Sequence, residues 1–142
     1  SGDASTPNLR TKAPMLASPV PLAIQETLSD FRDRLLTLFP DDIQQIILYG
    51  SYARGEATSD SDIDVMVVVR WTDPDRPDGH YLGKLVDSRW KAIVDTATDV
   101  FIEHGPPYLS LLVIGESLFE TNPEVAKHAR TEGQVLWKNP QT

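Results

Sequence analysis

Apolar positions recur along the chain with two different periods, and the change from one to the other sets the expected elements. From Ala23 onward, Ile24, Leu28, Phe31, Leu35 and Leu38 follow one another at steps of four and three, which is one face of an amphipathic helix that must end before Pro40. Asp41-Asp42 then make a turn. Ile43 to Tyr49 is a short, mostly β-branched and apolar run stopped by Gly50, and Ile63 to Val69 is another of high strand propensity; both predict buried strands. The residues 73–79, rich in Asp, Pro and Gly, predict a surface loop. Leu82, Leu85, Val86, Trp90, Ile93, Val94, Ala97, Val100 and Phe101 give a long second helix, closed by His104-Gly105 and by Pro106-Pro107. Tyr108 to Ile114 predicts a third strand. Asn122-Pro123 is an N-cap followed by proline in the first turn, opening a short helix to about Glu132 that Gly133 caps, with Val135-Leu136-Trp137 as an edge strand.

This order of helices and strands predicts an α+β fold, a small mixed β-sheet covered by helices. Residues 1–22 contain Pro7, Pro14, Pro19 and Pro21 among small and polar residues and show no apolar period, so they are expected to form an extended tail; residues 23–142 are expected to form a single domain. A total of 142 residues suits one core and leaves little room for a second. No apolar run reaches the roughly 18 residues of a membrane-spanning helix, so no membrane partner is expected. The sequence contains no cysteine, which excludes disulfides, thiolate metal sites and cysteine nucleophiles and is compatible with a cytoplasmic location.

Charge changes the picture once it is located. The net charge of −8 is concentrated in residues 40–80, where three basic side chains face nine acidic ones. Such a chain is a poor partner for long nucleic acid, whose binding depends on Lys and Arg displacing condensed counterions. A local excess of carboxylates suits a divalent cation instead.

The carboxylates that matter are Asp62 and Asp64. Placed two residues apart where a strand begins, they project from the same side, and two carboxylates aimed at one point repel each other unless a cation lies between them. Oxygen ligands with no His or Cys beside them in sequence favour Mg²⁺ or Mn²⁺, and Mg²⁺ is usually completed by substrate phosphates and waters. Gly50-Ser51 fits such a site from the other side: a glycine after a buried strand allows a sharp turn and close approach, and Ser51 offers a hydroxyl and an N–H. Arg54, between the two halves, can contact a phosphate or brace an acid. Competing motifs fail. Asp60, Asp62 and Asp64 have the 1, 3, 5 spacing of a calcium loop, but Val65 stands at the position of its glycine and Trp71 at that of its glutamate. Neither a phosphate-cradling G-x-x-x-x-G-K-[ST] nor a G-x-S-x-G is present, and His80, His104 and His128 match no zinc spacing, which leaves them as surface or capping residues.

The segment Gly50-Ser51-Tyr52-Ala53-Arg54-Gly55-Glu56, followed by Ser59-Asp60-Ser61-Asp62-Ile63-Asp64, resembles the signature of the minimal nucleotidyltransferases of the DNA polymerase β superfamily. The resemblance runs from about Ala23 to Trp137, more weakly at its end over Glu132-Gly133-Gln134-Val135-Leu136-Trp137. It implies a polymerase β-like fold and transfer of a nucleoside monophosphate, AMP above all, from ATP or another NTP to a hydroxyl of a small molecule or a protein. It also implies that Ser51 contacts the triphosphate and that Asp62 and Asp64 hold Mg²⁺ or Mn²⁺. Such small proteins often accompany a HEPN-type ribonuclease as the antitoxin of a pair, so a HEPN partner that receives AMP, or a homodimer completing the acceptor pocket, is the expected assembly. The sequence departs from the family at one point. Active members place a third carboxylate on the strand beside the aspartate pair, whereas the stretch from Tyr108 to Ile114 has only Ser110 in its middle, with Glu103 and Glu116 beyond its ends as candidate substitutes. In a two-metal mechanism that third acid helps hold the ion activating the acceptor hydroxyl, so a nucleotide-binding module without transfer is the other reading.

Overall fold

A computed structural model describes residues 20–70 and 88–140. Its elements are α1 (Leu22–Leu38), β1 (Ile43–Tyr49), the single turn α2 (Ser51–Arg54), β2 (Ile63–Val69), α3 (Ser88–His104), β3 (Leu109–Gly115), α4 (Glu116–Thr121), α5 (Pro123–Glu132) and β4 (Gln134–Lys138). The sheet runs in the order β3-β2-β1-β4, with β1 antiparallel to both β2 and β4 and β2 parallel to β3. The architecture is the α+β arrangement with a mixed sheet that the periodicities predict. The expected loop 73–79 and the start of the helix expected from Leu82 lie outside the described residues, as do the first nineteen residues of the expected tail.

Strand alternation sends two sets of side chains to two faces. On one face, Ile63, Val65, Val67 and Val69 of β2 and Leu109 of β3 pack with Leu28, Phe31 and Leu35 of α1 and Ile93, Ala97 and Val100 of α3. On the other, Met66, Val68, Ile114 and Ile47 pack with Phe119 of α4 and Ala126 and Ala129 of α5. The second group is smaller. Asp64 lies where β2 begins, next to the turn at Gly50 that the last residue of α5, Glu132, reaches.

Two local features differ from expectation. Val20, on the tail side of the expected boundary at Ala23, is buried in the core, and Leu22 already opens α1. The chain is held there because the Gln25 side chain donates to the Val20 carbonyl at 2.7 Å and the Pro21 carbonyl accepts from the N–H groups of Ile24 and Gln25. Burial of one valine is favourable on the scale of about 1.5–3 kcal/mol, enough to fix the approach to the helix. Helix α4 has no counterpart in the sequence reading, because six residues are too few to display a period. Asn122 caps α5 as expected, its side-chain oxygen accepting the Glu124 N–H at 3.0 Å.

Candidate functional site

The site is assembled where β1 ends and β2 and β3 begin. Tyr49, the last residue of β1, stands opposite Asp64 in the antiparallel ladder, and Ser110 stands beside Asp64 in the parallel one. Asp62 precedes β2 and is exposed, while Asp64 is half-buried. Burial of Asp64 and the negative charge of Asp62 push its carboxyl above the ordinary value of 3.8, against the opposing pull of Arg54 and a hydrogen bond from Ser110. Tyr49 is affected in turn: its own burial and the charge of Asp64 raise its phenol above the ordinary range. The charge of Asp62 is thus felt at Asp64.

Gly50 occupies a conformation, φ 76° and ψ −156°, that other residues rarely adopt. A Cβ built there would run into the Asp64 carboxylate. The sequence reading takes this glycine as a means of close approach to a ligand; in the structure the nearest thing it approaches is Asp64. Ser51 follows as the first residue of α2, whose single turn closes at Gly55 in the left-handed conformation, with the Glu56 N–H donating to the Ser51 carbonyl at 2.9 Å. Ser51 and the aspartate pair thus lie at the same corner of the sheet.

In the structure Arg54 braces two acids. Its Nε donates to Glu56 at 2.8 Å and its Nη1 to Glu132 at 2.9 Å. Glu132 is the residue that sequence reasoning missed. It is the last residue of α5, its side chain is only 17% exposed, and the oxygen that receives Arg54 also accepts the Gly50 N–H at 2.8 Å. Burial works against the Glu132 charge, but the Gly50 N–H, His128 and Arg54 outweigh it and hold the carboxyl below its ordinary value. Its position just before Gly133 and its place in the family-like ending were visible in the sequence; its partner, Gly50, lies 82 positions away and was not.

Neither candidate substitute reaches the Ser110 position. Glu103 is bound to Arg34 on the α1 side of the molecule. Glu116 begins α4 at the far end of β3, six residues from Ser110, a span of about 20 Å along a strand. Among the described residues no cluster of three or more His, Asp or Glu could enclose a metal. Asp62 and Asp64 nevertheless fit a divalent cation by their chemistry: two oxygen donors whose repulsion it would relieve, in a corner where Glu56 and Glu132 already take up the Arg54 charge.

A family model described as nucleotidyltransferase domain matches residues 28–108, more than half of the chain, with the whole Gly50 to Asp64 corner inside it. The chain belongs to the nucleotidyltransferase domain family. A protein of Methanocaldococcus jannaschii, provisionally named a protein adenylyltransferase, is 27% identical over 115 residues, covering 80% of this chain and 97% of that one. A second protein of the same organism, also provisionally named a protein adenylyltransferase, is 39% identical over 57 residues, 40% of this chain and 39% of that one. Among solved structures, a toxin–antitoxin crystal structure with AMP-PNP is 21% identical with a TM-score of 0.48, covering 78% of this chain and 73% of that one. A tri-AMPylated Shewanella oneidensis HEPN toxin in complex with an MNT antitoxin is 18% identical with a TM-score of 0.43, covering 81% of this chain and 75% of that one. Within this nucleotidyltransferase no described helix is long and apolar enough to cross a membrane.

Proposed function

We propose that this chain transfers AMP from ATP, with Mg²⁺ or Mn²⁺, to a hydroxyl on a protein. The observation that carries the reading is the corner itself: Asp62 and Asp64 beside Gly50-Ser51, with Gly50 packed against the Asp64 carboxylate. In this reading Asp62 and Asp64 hold the cation, Ser51 contacts the triphosphate, and the metal supplies charge neutralisation for phosphoryl transfer. Arg54 and Ser110 act indirectly, Arg54 by tying Glu132 to the turn and Ser110 by donating to Asp64. A protein acceptor is favoured because the relative that aligns over most of both chains bears the name of a protein adenylyltransferase. A HEPN-type partner is the specific acceptor that the sequence resemblance suggests, and a second copy of this chain is the other. The cysteine-free composition is consistent with a cytoplasmic enzyme.

The test is labelling with [α-³²P]ATP of wild-type protein and of the Asp62→Asn, Asp64→Asn double variant, each alone and with proteins that co-purify with the chain from its native cell. Label on a partner or on the chain itself, with the mass rise of about 329 expected for added AMP and its loss in the double variant, supports transfer. Ser51→Ala should weaken ATP binding by about 1–2 kcal/mol, the scale of one hydrogen bond to a charged group. Ser110 beside Asp64 favours a second reading, a nucleotide-binding module without transfer. That reading predicts ATP binding lost in the double variant and no labelled acceptor under any condition.

A further inference from the structure

Glu132 and Gln134, on either side of Gly133, both reach from the α5–β4 junction to the turn that carries Ser51. Glu132 accepts the Gly50 N–H at 2.8 Å and Arg54 at 2.9 Å, and Gln134 donates to the Ala53 carbonyl at 2.9 Å. The junction lies tight against β1: a Cβ on Gly133 would collide with the Ala129 carbonyl and the Ile47 side chain, so only glycine brings both neighbours within reach. A carboxylate at the last residue of a helix faces the negative end of the helix dipole, and Glu132 is largely buried as well. Within α5 the acid meets the exposed His128 one turn earlier at 3.5 Å, a solvent-screened contact that gives little reason for a buried acid at this position. What calls for it is the turn, because the Gly50 peptide holds a φ and ψ open to glycine and rarely to other residues, and one fixed acceptor sets its N–H direction.

We propose that Glu132-Gly133-Gln134 is a clasp that positions the Gly50–Arg54 turn for the triphosphate of the nucleotide, with Glu132 as its main positioning residue. The clasp fixes three points of one short segment: the Gly50 N–H before Ser51, the Ala53 carbonyl after it, and the Arg54 guanidinium, which it ties into the wall of the site. Glu132 touches neither the metal pair nor the nucleotide in this scheme; it acts through Gly50. The inference rests on reading Gly50-Ser51 as the triphosphate contact.

The experiment compares Glu132→Ala, Glu132→Gln and Gln134→Ala in the full chain, measuring Mn²⁺·ATP affinity by calorimetry and the Gly50 amide resonance by NMR without nucleotide. Glutamine keeps an oxygen for the Gly50 N–H but not the charge, so it should stay within about threefold of wild type, whereas alanine should bind ATP about tenfold more weakly. The Gly50 amide proton should move upfield in the alanine variant and stay near its place in the glutamine variant. A folded alanine variant with wild-type ATP affinity overturns the clasp, and so does an unmoved Gly50 resonance. Should the alanine variant not fold, Gln134→Ala decides: about threefold weaker ATP binding supports the proposal and unchanged affinity overturns it. Wild-type protein that binds no ATP removes the reading of the site itself, whereas ATP binding indifferent to all three variants removes only the clasp.

Discussion

Two groups of charges in this molecule are built from the same residue types and behave in opposite ways. Between the middle of α1 and the C-terminal end of α3, Asp30 accepts from Arg34 Nε at 2.8 Å and shares a hydrogen bond with His104 Nε2 at 2.8 Å, while Arg34 also reaches Glu103. Hydrogen bonds from Arg34 and then His104 hold the Asp30 carboxyl below its ordinary value, and the Arg34 guanidinium is held more firmly protonated in return. At the site, Asp64 has an acid for its neighbour, and burial together with Asp62 drives its carboxyl the other way. The first group is complete as it stands and fastens two helices. In the second, Arg54 is occupied by Glu56 and Glu132, and the aspartate pair retains a surplus of negative charge. Balanced charge fastens structure here, and the unbalanced charge is left at the aspartate pair.

The largest expected effect tests whether the crowding at Asp64 is built into the backbone. Gly50→Val places a side chain on the Asp64 carboxylate at a φ of 76°, and should cost more than about 2 kcal/mol of stability and remove the response to ATP. An unchanged urea midpoint would show that the turn does not have this conformation.

Next in size is the attempt to complete the deficient group. Ser110→Asp puts a carboxylate in register beside Asp64 and should tighten Mn²⁺ binding by about tenfold while lowering the melting temperature in EDTA, because an added ligand is also an added like charge. The two readouts should move in opposite directions. If Mn²⁺ affinity and the melting temperature fall together, the β3 side chain does not face the pair.

Smaller and of opposite sign are the single neutralisations. In EDTA at pH 7, Asp64→Asn should raise the melting temperature by relieving repulsion, and Asp30→Asn should lower it by breaking the Arg34 and His104 contacts, a loss of a few tenths to about 1 kcal/mol. A loss of stability in both variants would erase the contrast between the two groups.

The pH dependence sharpens the same contrast with the smallest signal. Asp64 has a raised carboxyl pKa, so below pH 3.8 its proton is held in both folded and unfolded chains and there is no penalty. As pH rises through 3.8 the unfolded chain loses its proton first, and the penalty grows until pH passes the raised folded value. The gain from Asp64→Asn should therefore shrink on acidification while the pH is still above 3.8. Asp30 has a lowered carboxyl, so its contribution is full above 3.8 and is lost only as pH falls below it. Melting curves of both variants between pH 3 and 7 should show the Asp64 difference fading before the Asp30 difference does.

By itself the sequence determined the parts that depend on neighbours in the chain. Strands Ile43–Tyr49 and Ile63–Val69 lie where the apolar runs end at Gly50 and begin after Asp62, because strand burial is written in consecutive residues. The Asn122 cap follows from its place before Pro123. What only the tertiary structure decided are the relations between distant segments. The parallel pairing of β2 with β3 set Ser110 beside Asp64, and packing of α5 on β1 brought Glu132 to the Gly50 N–H. The same holds for Val20, buried by a helix it precedes, and for Arg54, which meets a carboxylate 78 positions along. Periodicity records which side of an element faces the core, but it carries no record of which other element will be waiting there.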